Sequence, residues 1–267
     1  MHFDKVGFIG LGLIGGSIAR KMKENNPKVS IIATAGHQQT IEDAFGLGLI
    51  DNNELLELNS FKDCDVIFLC APVNKNIEYL TQLKDIIKDD CIITDVGSTK
   101  TQIHEKVIEL GLERNFIGGH PMTGSEKTGI LNSDKQLLEN AYYIITPTAA
   151  TTEENQNDFR QFVLSLGSIA LILDYREHDH ATAAISHLPH MIAYSLVNLI
   201  EHIDSEKETM KTIAAGGFRD VTRIAASSPV MWENICESNK NQLLSLMDQY
   251  EANFHTVSYT HLTLPTT

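Results

Sequence analysis

The sequence predicts an α/β domain over residues 1–174 followed by an all-α domain over 175–256, and three observations support that division. Short apolar runs alternate with amphipathic stretches as far as Asp174. A glycine-spaced turn links the first run to the first stretch. Beyond Asp174 the strand signal stops and helical periodicity takes over. Alternating strand and helix signals are the pattern of a parallel sheet covered by helices.

Taken in order, strands are expected at "KVGFI", "VSIIA", "DVIFLC", "CIITDV", "NFIGG", "YYIIT" and "SIALIL", each a short apolar run of the kind that a buried sheet uses. Between them "SIARKMKEN", "TIEDAFGLG", "NIEYLTQLKDII", "TQIHEKVIELG" and "EENQNDFRQFVLSLG" read as helices. The second domain begins with "EHDHATAAISHLPHMIAYSLVNLIEHI", one long helix followed by shorter pieces. Pro189 inside it cannot donate to the carbonyl of Ile185 and crowds it, so a kink is expected there.

The turn after the first strand, "VGFIGLGLIGGSIARKM", carries Gly10, Gly12 and Gly15 in G-x-G-x-x-G spacing. The first glycine permits the tight turn, the second lets the backbone approach a pyrophosphate, and the third lets helix and strand pack closely. With a strand before it and a helix after it, this is a Rossmann-type dinucleotide-binding signal, the phosphates resting on amides at the helix N-terminus. The second strand ends in "IIATAGHQQT", where Thr34, Ala35, Gly36 and His37 stand in place of the acid that grips a ribose or the Arg that accepts a 2′-phosphate. The cofactor expected is NAD, because no cation stands ready for the extra phosphate; NADP stays open through His37.

Charge limits the partners. With 21 Lys+Arg against 35 Asp+Glu, the formal charge is −14, which argues against nucleic-acid and anionic-membrane binding. The four cysteines are spread apart without the spacing of a zinc or redox motif, and suit a reducing cytoplasm. The amino terminus shows no signal peptide, and no run approaches about 18 uninterrupted apolar residues. A cytoplasmic enzyme binding a small molecule is the expectation, with no metal.

The loop "IGGHPMTGSEKTGI", residues 117–130, is dense in proton-handling and hydrogen-bonding side chains. It follows the fifth expected strand, which places it at the carboxyl edge of the sheet, where open α/β sheets bind ligands. Its neighbour "TDVGSTK" leaves the preceding strand at the same edge with Asp95, Ser98 and Lys100. His120 is then a candidate base beside Ser98 and a nicotinamide, the alternative being a turn histidine before proline.

In the second domain, His187 and His190 lie three apart, but two histidines without a third ligand make a poor zinc site. "AAGGFRDVTRIAASSPVMW" supplies the cationic groups: Gly216 and Gly217 leave backbone amides open to close approach, and Arg219 and Arg223 are four apart, sharing a face if helical. A guanidinium holds a carboxylate through two parallel hydrogen bonds.

Together "GGHPMTGSEKTG", "ISHLPH", "GGFRDVTRIAASSPVMW" and the glycine fingerprint resemble the prephenate dehydrogenase family of tyrosine biosynthesis, over about residues 5 to 250. The resemblance implies NAD(P)-dependent oxidative decarboxylation of prephenate to 4-hydroxyphenylpyruvate, in a homodimer whose helical domain makes most of the subunit contact. It implies His120 as base with Ser98 hydrogen-bonded beside it. Glu126 becomes a loop acid that orders the site, the alternative being a surface carboxylate paired with Lys127 or Lys100. His190, with His187 near it, Gly216, Arg223 and Trp232 become substrate-site residues; core or surface packing is the alternative for His187 and Trp232, and an ion pair for Arg219. Gly10, Gly12, Leu13, Ile14, Gly15, Thr34, Ala71 and Pro72 become the cofactor contacts. Related alternatives are an arogenate (cyclohexadienyl) dehydrogenase and a non-catalytic dinucleotide sensor.

After "NQLLSLMDQYEANFHT" the chain turns to "VSYTHLTLPTT", so residues 257–267 are expected to form an irregular tail, the alternatives being disorder, a segment foreign to the natural gene or the mark of a truncated sequence. No regulatory domain is expected to follow, so feedback by tyrosine would act through the active site.

Overall fold

The computed structural model describes residues 3–262, the last two by their backbone alone. The chain divides into two compact units, Met1–His178 and Asp179–Thr267, four residues later than the expected boundary at 174.

In the first unit all seven expected strands form: β1 (Lys5–Ile9), β2 (Ser30–Thr34), β3 (Val66–Leu69), β4 (Ile92–Asp95), β5 (Ile117–Pro121), β6 (Tyr142–Pro147) and β7 (Ile169–Ile172). The order β2-β1-β3-β4 is a parallel sheet. Its crossovers are helices α1 (Leu13–Asn25), α2 (Gln38–Gly46) and α3 (Val73–Leu83), while α4 (Thr101–Leu110) leads from β4 to β5. Side chains alternate between two cores, as the period of a strand requires. Val6, Phe8, Val66 and Phe68 pack with Ile18 and Met22 of α1, Ile41 of α2, and Phe159 and Phe162 of α5 (Glu153–Ser165). Ile9, Ile67 and Leu69 face the other way, to Leu80 and Leu83 of α3 and Ile103 and Val107 of α4. Phe8 and Phe68 stack at 4.9 Å, so truncating either to Ala costs about 3–5 kcal/mol.

The sheet is not parallel throughout, which corrects the expectation. β5 continues it through a parallel bridge, Ile93 with Phe116, but β6 runs antiparallel to β5 and parallel to β7. The cause lies between β5 and β6, where the chain makes only two 3₁₀ turns, Ile130–Asn132 and Lys135–Leu138. A parallel neighbour is usually reached through a crossover helix, and none forms here.

The second unit is built on the long helix expected there, which runs as α6 (Tyr175–Thr182), a π-helical turn (Ala183–His187) and α7 (Leu188–Ile203). In place of a bare kink, Pro189 is preceded by this turn, in which the Leu188 amide donates to the Ala183 carbonyl five residues back. The wider spacing lets the hydrogen-bond ladder pass the amide that proline lacks. Helices α8 (Thr209–Ile213), α9 (Gly216–Thr222), α10 (Pro229–Ser238) and α11 (Lys240–Leu262) follow. α11 runs to Leu262, so residues 257–262 are helical and not the irregular tail expected of them. Residues 263–267 of that expected tail lie outside the described residues.

Candidate active site

The first element of the site is the turn between β1 and α1. Gly10 has φ +89°, and a side chain there would place its Cβ 2.6 Å from the amide nitrogen of Ala71. Only glycine fits a backbone so turned and so close to its neighbour. Gly12 caps α1 with nothing within 4 Å of an added Cβ, which leaves its surroundings open to a ligand. Gly15 lies against Cys70, with an added Cβ 3.0 Å from the sulfur, so α1 packs directly on the turn after β3. Turn and packing thus fall to Gly10 and Gly15 as their spacing predicts, with open space at Gly12 between them. The first-turn amides of Leu13, Ile14 and Gly15 have no acceptor within the helix, and the first turn carries no acidic side chain.

Thr34 ends β2 beside this turn, its carbonyl accepting from the Gly10 amide at 2.9 Å. Ala71 and Pro72 form the turn into α3, held by a residue that sequence reasoning missed. Asn76, fully buried, accepts from the Ala71 amide at 3.2 Å and donates to the Leu69 carbonyl at 3.3 Å. His37 caps α2 with an exposed side chain.

The second element is the carboxyl edge of β4 and β5. Asp95, the last residue of β4, is fully buried and ion-paired to the equally buried Lys100. Its carboxylate also accepts from the amides of Gly97 at 2.9 Å and Gly119 at 3.2 Å. This knot ties the "DVGSTK" turn to β5. Lys100 is thereby a structural cation. Ser98 sits half-buried in the same turn.

His120 lies within β5, not in the loop after it, paired across the strands with Ile144. The strand holds the backbone of a candidate base more firmly than a loop would. The residue is 9% exposed, and its Nδ1 lies 2.8 Å from Nε2 of His178. The contact at Nδ1 therefore goes to His178. His178, on α6 and fully buried, is the second residue missed. The two are 58 positions apart and no local pattern joins them. Glu126 is exposed in the loop that follows β5.

The second unit holds its own group. His190 and Trp232 stack with ring centroids 3.5 Å apart and planes 4° from parallel, and His187 meets the same indole edge-on at 6.0 Å. Nδ1 of His190 and Nε1 of Trp232 are buried without a hydrogen-bond partner. Burial holds the His190 pKa below the usual histidine range, the backbone of Ile224 opposing the shift. A third missed residue, Asn239, is buried and donates from one amide nitrogen to the Asp179 carbonyl at 2.7 Å and to His187 Nδ1 at 3.3 Å. Because an amide nitrogen only donates, His187 carries its proton on Nε2. Gly216 opens α9 with nothing within 4 Å of an added Cβ. Arg219 and Arg223 are exposed; α9 ends at Thr222 and a 3₁₀ turn begins at Arg223, so the pair is divided between two elements. No cluster of three metal-ligating side chains occurs among the described residues.

Comparison with known proteins gives these groups a context. Residues 18–171 match the family "Prephenate dehydrogenase, nucleotide-binding domain" and residues 174–260 match "Prephenate dehydrogenase, dimerization domain". A prephenate dehydrogenase of Bacillus subtilis is 36% identical over 249 residues, 92% of this chain and 67% of the relative. A cyclohexadienyl dehydrogenase of Zymomonas mobilis is 30% identical over 251 residues, 94% of this chain and 86% of the relative. The crystal structure of the prephenate dehydrogenase of Aquifex aeolicus, in complex with hydroxyphenyl propionate and NAD+, superposes with a TM-score of 0.89 at 29% identity, covering 96% of this chain and 90% of that one. On these matches the chain belongs to the prephenate dehydrogenase family.

Proposed function

We propose that this chain oxidises prephenate with NAD, giving 4-hydroxyphenylpyruvate and carbon dioxide, and that His120 is its base. The observation that carries the reading is the occupancy of one sheet edge: a glycine turn open for a dinucleotide and a buried imidazole on β5 belong to the same unit. The residues fit the cofactor, since Gly12 presents no Cβ and the amides of Leu13, Ile14 and Gly15 lack helical acceptors. Bound there, NAD supplies the hydride acceptor. His120 takes the proton of the ring alcohol as hydride leaves the same carbon, and departure of the ring carboxylate as carbon dioxide makes the ring aromatic. Thr34, Ala71 and Pro72 are proposed to line the cofactor, and Ser98 and Glu126 to flank the base.

In the second unit, Arg223 is proposed to take a substrate carboxylate through its forked guanidinium. The unpartnered nitrogens of His190 and Trp232 support a polar ligand there, because buried polar groups ordinarily have partners. His187 is proposed to lie beside the same ligand, and Gly216 to give it an unobstructed backbone. The test is purified protein with prephenate or arogenate and NAD or NADP, following reduced nicotinamide by absorbance. Turnover of prephenate with NAD is expected, and no reduction with any of the four pairs would overturn the reading. Arogenate, which carries an amine where prephenate has a keto group, is the second reading, favoured by the cyclohexadienyl relative.

A homodimer in the cytoplasm is part of the same proposal. The helix Tyr175–Ile203 reaches a mean hydropathy of 1.2 over eighteen residues with 22% of that window buried, enough by length and composition to cross a membrane. Ile185, Tyr194, Leu199 and Ile203 are its exposed apolar residues. A second copy of the chain, in a family whose second domain is a dimerisation domain, accounts for this surface without a bilayer. Such an obligate interface buries more than about 2,000 Å² and persists on dilution. Sedimentation at micromolar concentration is expected to give a dimer, and a monomer would reject it.

A further inference from the structure

The contact between His120 and His178 carries a conclusion about protonation. Two neutral imidazoles joined nitrogen to nitrogen at 2.8 Å share one proton, so one ring donates and the other accepts. If His178 donated, the Nδ1 lone pair of His120 would be consumed in the contact and its own proton would sit on Nε2. The ring would then have no lone pair left to receive a proton. If His178 accepts, His120 carries its proton on Nδ1 and presents the Nε2 lone pair. Only the second arrangement leaves His120 a base.

We propose that His178 is a positioning residue: as a neutral acceptor through Nε2, it fixes His120 in the Nδ1–H tautomer and fixes the plane of its ring. This rests on the reading of His120 as the base. The surroundings suit the task. His178 is fully buried on α6, and its backbone amide is held by the Asp174 carbonyl at 2.9 Å. The rings meet near edge-on, 71° apart with centroids at 5.1 Å, so the imidazole of His178 meets His120 in one defined direction. On the other side, β5 is anchored by the Gly119 amide on Asp95, one residue before His120. The base is thus fixed from its backbone by a strand and from its ring by a helix. Orientation of a catalytic imidazole by a third group is a general device, and a wrong tautomer costs orders of magnitude in turnover.

The experiment uses the full-length protein with histidine labelled in nitrogen-15, the His120 signals being assigned by their loss in His120→Asn. In the wild type, Nδ1 of His120 is expected to give a protonated, pyrrole-type resonance and Nε2 an unprotonated one. The reverse pattern overturns the proposal without any variant of His178. Replacing His178 with Leu removes the acceptor, and His178→Gln restores one through its side-chain oxygen. His178→Leu is expected to lose the single tautomer and to lower kcat about ten- to a hundredfold, with the KM for prephenate within about twofold of wild type. His178→Gln is expected to recover most of both. An unchanged tautomer in His178→Leu, or a folded His178→Gln no better than His178→Leu, overturns the role of His178. Near-wild-type turnover in His120→Asn overturns instead the reading of His120 on which the proposal stands, so the two failures are told apart.

Discussion

In strand β3 all four residues are buried, whereas helix α7, sixteen residues long, buries only His190 and Ala193. The first unit covers its parallel strands β1–β4 with its own helices on both faces and closes two cores. The second leaves Ile185, Leu199, Ile213, Val230 and Phe254 exposed. A strand buried on both faces needs nothing from outside the chain. A helix that keeps its apolar residues exposed has its complement elsewhere, and the proposed dimer supplies it. The contrast extends to charge, since the cation of the first unit, Lys100, is sealed in an ion pair while Arg223 of the second is exposed.

Mutations that act on one unit alone sharpen this contrast. The largest effect is expected from His120→Asn, which removes the base from β5. Turnover should fall by about two to four orders of magnitude with cofactor affinity near normal in a binding titration. Next is Lys100→Met, which leaves the buried Asp95 carboxylate with only its two backbone amides. Unfolding in urea should show a loss of about 3–5 kcal/mol, the cost of a buried charge without its partner. Arg223→Ala should act on the ligand instead: the KM for prephenate is expected to rise about ten- to a hundredfold, as loss of a charged hydrogen bond of about 1.5–3 kcal/mol implies. Arg223→Lys keeps the charge and loses the fork, so it should fall between. The KM for NAD should hardly move in either variant, and a parallel rise in both constants would make Arg223 structural.

The smallest effect concerns pH. The pKa of His190 is lowered by burial, so the folded state resists protonation that the unfolded state accepts from about pH 6.5 downward. Stability from this residue is therefore fully present above that pH and is lost as pH falls toward the folded value. Urea melts of wild type and His190→Phe, which keeps a ring against Trp232, should diverge below about pH 6.5 and run parallel above it. Parallel curves throughout would show His190 to be solvated.

Much of this was legible in the sequence where the signal is local. Seven strands, the glycine turn and the long helix each announce themselves within a few residues, because strands of a buried sheet read as short apolar runs and a backbone turned as at Gly10 requires glycine. The direction of β6 was not legible, since a strand reads alike in both directions and only the missing crossover helix tells them apart. Nor were His178, Asn239 and Lys100 in their observed parts. Each owes its place to a partner brought near by folding, as His178 does to a residue 58 positions away. The helix over residues 257–262 was missed for a different reason: Val257 and Tyr259 stay exposed, so no apolar stripe marks it. Helical periodicity reports a buried face, and a helix without one is silent.

The π turn at Ala183–His187 bears on how this helix tolerates changes of length. A π turn holds one residue more than an α turn, so the segments on either side keep the faces they would have if that residue were absent. Deleting Ala184 would let the turn tighten to an ordinary α-helix and leave His190 in phase with Trp232, at the cost of leaving the Ile185 carbonyl without a donor and crowded by the ring of Pro189. Deleting Met191 or Ile192, inside α7, would instead rotate everything after it by about 100°. Natural variation in length within this helix should therefore gather at these five residues, with a proline after the longer form and none after the shorter.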